Sequence, residues 1–257
     1  MRSLIIAPAE EKRLAEAWAS GAGAVIVNLA LAAPEKRAAA RDVAARFLRE
    51  IRAEGGGPAL AVCVNALDSG ETDADLDSFM GSAPDAILLP GSLGAASVQQ
   101  LSAKLAVREA DFALADGATR IIAVADTARA LLSMASYRVS SGRLAGIAWS
   151  AASLRLNIGA ETDRDPSGAY AGAFRLARDL TLLAAAAAGV AAIDAAFADI
   201  GDAKGLRAES VAARRDGFSA KLAIDPAQPR IINEAFAVTR GNGPRTIGFH
   251  RIEPTNP

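Results

Sequence analysis

Eight short apolar runs recur along the chain, and longer segments that mix apolar and polar positions lie between them. An almost unbroken apolar run is typical of a strand that is buried on both faces of a parallel sheet. We therefore predict strands at Ser3–Ala7, Ala24–Leu29, Ala59–Asn65, Ala86–Leu89, Arg120–Ala125, Leu144–Trp149, Ala191–Asp194 and Ala220–Ile224.

The intervening segments have the periodicity and the end signals of helices. Proline in the first turn of a helix is such a signal, and it is present where Pro34 precedes Glu35 and where Pro226 follows Asp225. The predicted helices cover residues 10–20, 34–54, 73–80, 94–110, 127–137, 168–188, 202–216 and 226–236.

Strict alternation of strands and helices indicates a parallel sheet, and a closed barrel leaves that sheet without an exposed edge. The 257 residues match the length of one barrel. We predict a single (β/α)8 TIM barrel over residues 1–240 and a short irregular C-terminal extension over 241–257, which is rich in Gly, Pro and Asn. A doubly wound open sheet is the alternative, but no G-x-G-x-x-G follows the first strand, so a nucleotide cofactor is not expected.

Charge and composition exclude several classes of function. The net charge is −1 without a basic block, so no nucleic-acid partner is expected. The longest apolar run, Leu180–Ile193, is shorter than a membrane span, so no membrane partner is expected either. A single cysteine, Cys63, cannot form an internal disulfide and suggests a reducing, cytoplasmic location. The only histidine, His250, lies near the C-terminus, which leaves little scope for histidine triads or zinc sites.

In a β/α barrel, catalytic groups collect where the strands end at their C-terminal side. The polar, thiol or proline positions there are Asn28, Cys63, Asn65, Asp68, Pro90, Asp126, Ser150, Ser153, Asp194 and Asp225. Asp126 and Asp225 are candidate general bases, but either carboxylate could instead cap the following helix. Cys63, within an apolar run, is more typical of a core residue than of a nucleophile.

Several motifs, in the right order, resemble the citrate lyase beta subunit and its relatives, the aldolase/citrate lyase-like family of the pyruvate/phosphoenolpyruvate barrel superfamily. Two motifs near the C-terminus are the most specific. Asp194, Asp199, Ile200 and Asp202 match A-I-D-x-x-x-x-D-I-x-D, and the segment 217–228 resembles G-F-x-G-K-x-x-I-H-P-x-Q, with Asp225 at the position of the histidine. Shorter matches are Arg2-Ser3-Leu4 to Pro8 with R-S-x-L-F-x-P-G, Val64-Asn65-Ala66-Leu67 with R-V-N-x-L, Leu88-Leu89-Pro90 with L-P-K, and Asp126-Thr127-Ala128 with E-T-A.

The resemblance implies a carbon–carbon lyase acting on CoA thioesters or 2-keto acids, and assembly into trimers or larger homo-oligomers. In the family, a Mg²⁺ ion and an arginine stabilise the enolate that develops during the reaction. The implied substrate-pocket positions are Arg2, Cys63, Asn65, Ser150 and Ala151. The implied metal ligand is Asp126, and Ser153 occupies the position of the second ligand.

The sequence departs from the family at these charged positions. The family's D-L-E-D falls on Asn28–Leu31, its arginine on Cys63, its L-P-K lysine on Gly91 and its second metal carboxylate on Ser153. We therefore expect weak or absent Mg²⁺ binding and loss of the standard Mg²⁺-dependent reaction, with an acyl-CoA or 2-keto acid as the ligand. Two alternatives stay open: an active citrate-, citramalyl- or malyl-thioester lyase with a modified Mg²⁺ site on Asp126, and a different reaction with Asp126 or Asp225 as base.

Overall fold

The computed structural model describes residues 1–237, and the predicted extension 241–257 lies outside them. Eight parallel strands close into a barrel in chain order, and β8 pairs with β1 through Ser3–Lys221, Leu4–Leu222 and Ile5–Ala223. The strands are β1 Ser3–Pro8, β2 Ala24–Asn28, β3 Ala59–Cys63, β4 Ala86–Leu89, β5 Arg120–Ala125, β6 Leu144–Trp149, β7 Ala191–Asp194 and β8 Ala220–Ala223. The predicted TIM barrel is confirmed.

Helices lie between the strands and cover the outside of the barrel. They are α1 Glu11–Ala19, α2 Arg37–Glu54, α3 Thr72–Phe79, α4 Ala95–Asp111, α5 Ala128–Leu132, α6 Ala151–Ile158, α7 Gly172–Ala188, α8 Ala203–Asp216 and α9 Gln228–Ala235. Two helical predictions are wrong in detail. The segment 127–137 forms only the short α5 before a 3-10 turn at Met134–Val139, and α6 was not predicted. No helix within residues 1–237 combines the length and the apolar character needed to cross a membrane.

Alternation along each strand divides the core into two layers. Every second residue along a strand, which we call one parity, points its side chain into the barrel. There Leu4, Ile26, Leu88, Ile122 and Leu222 pack with small alanines. Side chains at the other parity point outward and pack against the helices, as Ile5, Val25, Val62, Ile121 and Ile147 do. Because the parity continues past the strand ends, it also decides which polar residues face the open end of the barrel.

Candidate functional site at the carboxyl end of the barrel

A cavity of about 470 Å³ opens at the carboxyl ends of the strands. We call it the mouth cavity, and its size is that of a small-molecule site. Its lining includes Ile6, Asn28, Leu31, Cys63, Leu88, Val124, Asp126, Ser150, Ala151, Ser153, Arg155, Asp163, Arg164, Leu222 and Ile224. The structure therefore brings together Cys63, Asp126, Ser150, Ala151 and Ser153 from the sequence-predicted set.

Asp126 is the buried carboxylate of this cavity, with only 8% of its surface exposed. It continues the inward parity of Ile122 and Val124, so its side chain faces the mouth. The cap of α5 is Thr127, whose hydroxyl accepts from the Ala130 N–H at 3.1 Å. Asp126 instead accepts a hydrogen bond from the Gly91 N–H at 2.9 Å, where Gly91 has a left-handed φ of 62°. Burial raises the pKa of Asp126, although the backbone N–H groups of Gly91 and Asp126 act in the opposite direction.

Cys63, which the sequence resemblance aligned with an arginine of the family, is 6% exposed. Burial raises the pKa of its thiol to about 12, and the nearby carboxylates of Asp126 and Asp75 add to this effect. A thiol in these surroundings stays neutral, so this position supplies neither the family's cation nor a thiolate nucleophile.

The two serines of the β6–α6 turn contact each other. Ser150 caps α6 by accepting from the Ser153 N–H at 3.2 Å, and the two hydroxyl oxygens lie 3.0 Å apart. This turn places Ser153, the residue predicted at the position of the second metal ligand, in the lining of the cavity. The hydroxyl is neutral and already hydrogen-bonded, so it is a poor ligand for Mg²⁺.

Among the positions predicted for the substrate pocket and for catalysis, Arg2, Asn65 and Asp225 do not line the mouth cavity. Arg2 is exposed and precedes β1, so it lies at the amino end of the barrel, opposite the mouth. Asn65 turns toward α3, where its Nδ2 and its backbone N–H both donate to Asp75 Oδ2, at 2.8 and 2.7 Å. Asp225 has the outward parity of β8, and its Oδ1 accepts from the Ala227 N–H at 2.9 Å, so it stabilises the turn before α9. The geometry therefore gives Asn65 and Asp225 hydrogen bonds to neighbouring turns and helices and leaves Arg2 at the opposite end of the barrel.

Sequence reasoning missed the charged residues that α6 and the loop after it bring to the cavity, namely Arg155, Asp163 and Arg164. Three contacts hold Arg164 in place. Its Nη2 donates to Glu209 Oε2 at 2.7 Å and its Nη1 donates to the Gly168 carbonyl at 3.0 Å. Its Cζ lies 4.1 Å from the centre of the Tyr170 ring. The sequence offered a signal in the charge cluster Asp163-Arg164-Asp165, which follows the predicted sixth strand by fourteen residues.

A buried ionic network anchors this side of the mouth. Lys221 is fully buried, and its Nζ donates to Asp194 Oδ2 at 2.9 Å, to Glu209 Oε1 at 2.8 Å and to the Ala195 carbonyl at 2.6 Å. Glu209 in turn holds Arg164, and Asp194 Oδ1 accepts from Trp149 Nε1 at 3.0 Å. The network thus links β6, β7, β8, α8 and the loop that carries Arg164.

The donor groups do not fit a resident Mg²⁺ ion. Cys63, Asp126 and Asp163 line the same cavity. Even so, no three His, Cys, Asp or Glu side chains within residues 1–237 come together as a metal-binding group. A hard cation prefers several oxygen ligands that include carboxylates. Here the lining holds two carboxylates, of which Asp126 already accepts from the Gly91 N–H and Asp163 belongs to the loop after α6, and two neutral serine hydroxyls.

An eight-stranded barrel with an open cavity at the carboxyl ends of its strands is the architecture of a TIM-barrel enzyme or of a binding protein derived from one. The chain belongs to the HpcH/HpaI aldolase/citrate lyase family, whose model matches residues 2–226.

Individual relatives agree with this assignment. The chain is 30% identical to the citrate lyase subunit beta of Leuconostoc mesenteroides subsp. cremoris, over 72% of this chain and 59% of that protein. It is 31% identical to a (3S)-malyl-CoA thioesterase of Cereibacter sphaeroides, over 92% of this chain and 77% of that protein. A crystal structure of protein CitE from Mycobacterium tuberculosis with magnesium, acetoacetate and coenzyme A superposes with a TM-score of 0.77 at 29% identity, covering 93% of this chain and 81% of that one. The chain thus spans less than two thirds of the Leuconostoc protein.

Proposed function

We propose that this protein is a citrate lyase beta subunit-like barrel that binds a small ligand at its mouth and has lost the Mg²⁺-dependent carbon–carbon bond chemistry of the family. The observation that carries the proposal is the lining of the mouth cavity, which includes Asp126, Ser150, Ser153 and Cys63. By the sequence resemblance, Ser153 and Cys63 fall on a metal carboxylate and an arginine of the family. The family reaction needs a divalent cation and a guanidinium near the developing enolate, and removing one such group typically costs ~3 kcal/mol of transition-state stabilisation.

An acyl thioester or a 2-keto acid is the proposed ligand class, because relatives in solved structures hold acetoacetate and coenzyme A or oxaloacetate. An extended ligand is supported by a second cavity of about 320 Å³, which shares Asn28 and Leu31 with the mouth cavity and has Lys36 in its lining. The ammonium group of Lys36 is suited to a phosphate. We place the protein in the cytoplasm, since its single cysteine is a buried free thiol.

We also propose that the protein forms a homo-oligomer. Helix α7 carries two exposed leucines, Leu176 and Leu183, which are 58% and 65% exposed and lie seven residues apart on one helix face. Exposed apolar side chains aligned in this way favour contact with another protein surface.

The test of the main proposal is thioester cleavage. Malyl- and citramalyl-thioesters are incubated with the wild-type protein and Mg²⁺, and carbon–carbon bond cleavage is followed by product analysis. We expect no cleavage above the metal-free control. Mg²⁺-dependent cleavage that is abolished by EDTA would contradict the proposal and establish the alternative, an active lyase that uses Asp126 as its metal ligand.

Variants that restore the residue types of the family at three positions extend this test. Cys63→Arg restores the cation, Ser153→Asp the second carboxylate, and Asp126→Glu the length of the first ligand. We expect that activity, if the scaffold still supports it, requires all three changes together, because groups that act as a unit are strongly non-additive.

A further inference from the structure

The floor of the mouth cavity differs chemically from its rim. The floor consists of the inward-facing strand residues Ile6, Cys63, Leu88, Val124 and Leu222 together with Asp126. Apart from Asp126, these side chains are apolar or carry a neutral thiol, and all except Ile6 are buried. A ligand end that reaches the floor therefore meets an apolar surface and one carboxylate.

Asp126 offers this ligand end a hydrogen-bond acceptor. A carboxylate has two oxygens and capacity for about four hydrogen bonds. The Gly91 N–H occupies one position on Oδ1 at 2.9 Å. Because Asp126 lines the cavity, its remaining capacity is available to a donor group on a bound molecule.

No guanidinium or ammonium group belongs to the floor among the residues that the structure describes. Arg164, on the loop after α6, already pairs with Glu209 and stacks over Tyr170. Arg155 belongs to α6, where its Nη1 lies 3.5 Å from the Glu161 carbonyl. Both arginines come from α6 and the loop after it, so the floor itself supplies no cation to an anion placed beside Asp126.

We infer that the floor of the mouth cavity selects a ligand end that is uncharged and donates a hydrogen bond, such as a hydroxyl group, and disfavours the carboxylate of a keto acid. Of the two proposed ligand classes, this favours the acyl thioester over the free 2-keto acid. This inference rests on the proposed function, since a resident Mg²⁺ ion would reverse the charge of the floor. An anionic carboxylate placed here would lose its hydration against apolar side chains and would face a second carboxylate. A hydroxyl loses less on transfer and gains a hydrogen bond to Asp126.

The experiment compares matched ligands that differ only in the end group. Dissociation constants of 1-hexanol and hexanoate are measured by ligand-observed NMR titration of the full chain without Mg²⁺, and 4-hydroxy-2-butanone is compared with acetoacetate in the same way. We expect each alcohol to bind at least about tenfold more tightly than its carboxylate partner. Equal binding, tighter binding of the carboxylates, or no binding of any of the four at millimolar concentration would overturn the inference.

Variants locate the selectivity on the floor. Cys63→Arg introduces a cation there and should reverse the preference toward hexanoate. Asp126→Asn keeps a hydrogen-bond acceptor but removes the repelling charge. It should therefore strengthen hexanoate binding and reduce the ratio between the dissociation constants of hexanoate and 1-hexanol. Asp42→Asn, which removes an exposed carboxylate on the outside of α2, is the matched control and should leave both constants unchanged. If both folded variants, Asp126→Asn and Cys63→Arg, still prefer the alcohol over the carboxylate as strongly as the wild type does, the floor does not determine this preference.

Repeating the acetoacetate titration with Mg²⁺ separates the two claims. Acetoacetate binding that appears only with Mg²⁺ would contradict the proposed function, and the inference with it. A preference for carboxylates that is independent of Mg²⁺ would contradict only the inference about the floor.

Discussion

Asp126 lowers the stability of the folded protein at neutral pH, although it supplies a carboxylate to the proposed ligand site. Its carboxylate is buried beside apolar side chains, and its compensating contact is the backbone N–H of Gly91. Burial disfavours the charged form and raises the pKa of Asp126 in the folded protein. The folded state therefore binds a proton more readily than the unfolded chain, and stability falls as the pH rises from 3.8, the ordinary value for Asp, through the folded-state pKa.

Replacing this carboxylate should stabilise the protein at neutral pH. In Asp126→Asn the amide oxygen still accepts from Gly91, but no charge is buried, so we expect a higher unfolding temperature at pH 7. The gain should shrink as the pH falls through the folded-state pKa and vanish below 3.8, where both states of the wild type are protonated. Thermal unfolding across pH checks this, with the exposed Asp42→Asn as control. A variant that is less stable than the wild type at pH 7 would contradict the account.

Side-chain parity explains which site residues the sequence could identify. The inward positions of β5 and β8 lead to Asp126 and Ile224, whereas Asp225 falls on the outward parity and bonds the Ala227 N–H. Asn65 is different, because β3 ends at Cys63 and the chain then turns so that Asn65 reaches Asp75. The inward position of Asp126 and the outward position of Asp225 follow from the sequence alone. The position of Asn65 depends on where β3 ends and on Asp75, ten residues further along the chain.

At the scale of elements, the barrel strands were predictable because they are buried on both faces and therefore continuously apolar. Helix α6 was not, because its eight residues, Ala151–Ile158, bury only Ala151 and Leu154 and show little apolar periodicity. The residues it brings to the cavity were missed for the same reason. Tertiary contacts hold the loop that follows α6, above all the pairing of Arg164 with Glu209.

Lys221 should be essential to the stability of that side of the barrel. Burial alone would raise the pKa of Asp194, but Lys221, Arg178 and the Trp149 N–H stabilise its charged form and hold the pKa below its ordinary value. Lys221→Met leaves Asp194 and Glu209 without their shared cation, so we expect a loss of about 3 kcal/mol in the free energy of unfolding. Urea denaturation measures this.

The exposed Lys204→Met on α8 is the matched control for that measurement, and its effect should stay within about 0.5 kcal/mol. A loss below about 1 kcal/mol in Lys221→Met would show that the network contributes little net stability, as is known for some buried ion pairs.

At the scale of the whole molecule, we expect self-association through the outer surface of the barrel. Leu176→Glu combined with Leu183→Glu places two charges on the exposed face of α7, so we expect the sedimentation coefficient to fall to that of a monomer. Val107→Glu, at an exposed apolar position on α4, is the control and should leave the assembly intact. A wild-type protein that sediments as a monomer at every concentration would refute the prediction.

The central claim is that a family scaffold has been kept while its metal site has been lost. The fold follows from the strand pattern and matches CitE across 93% of this chain, and we propose that the mouth has lost the charges of the family at Cys63 and Ser153. Since the backbone that presented the metal ligands is retained, one restored carboxylate should already change the affinity for Mg²⁺.

Calorimetric titration of Mg²⁺ into the wild type and into Ser153→Asp tests this claim most directly. Positions 126 and 153 line the same cavity, so the variant should add a carboxylate to a lining in which the wild type has Asp126 and Asp163. The account predicts no saturable binding to the wild type below millimolar Mg²⁺ and measurably tighter binding to the variant. Micromolar affinity of the wild type for Mg²⁺ in the absence of substrate, or equal affinities of the two folded proteins, would contradict it.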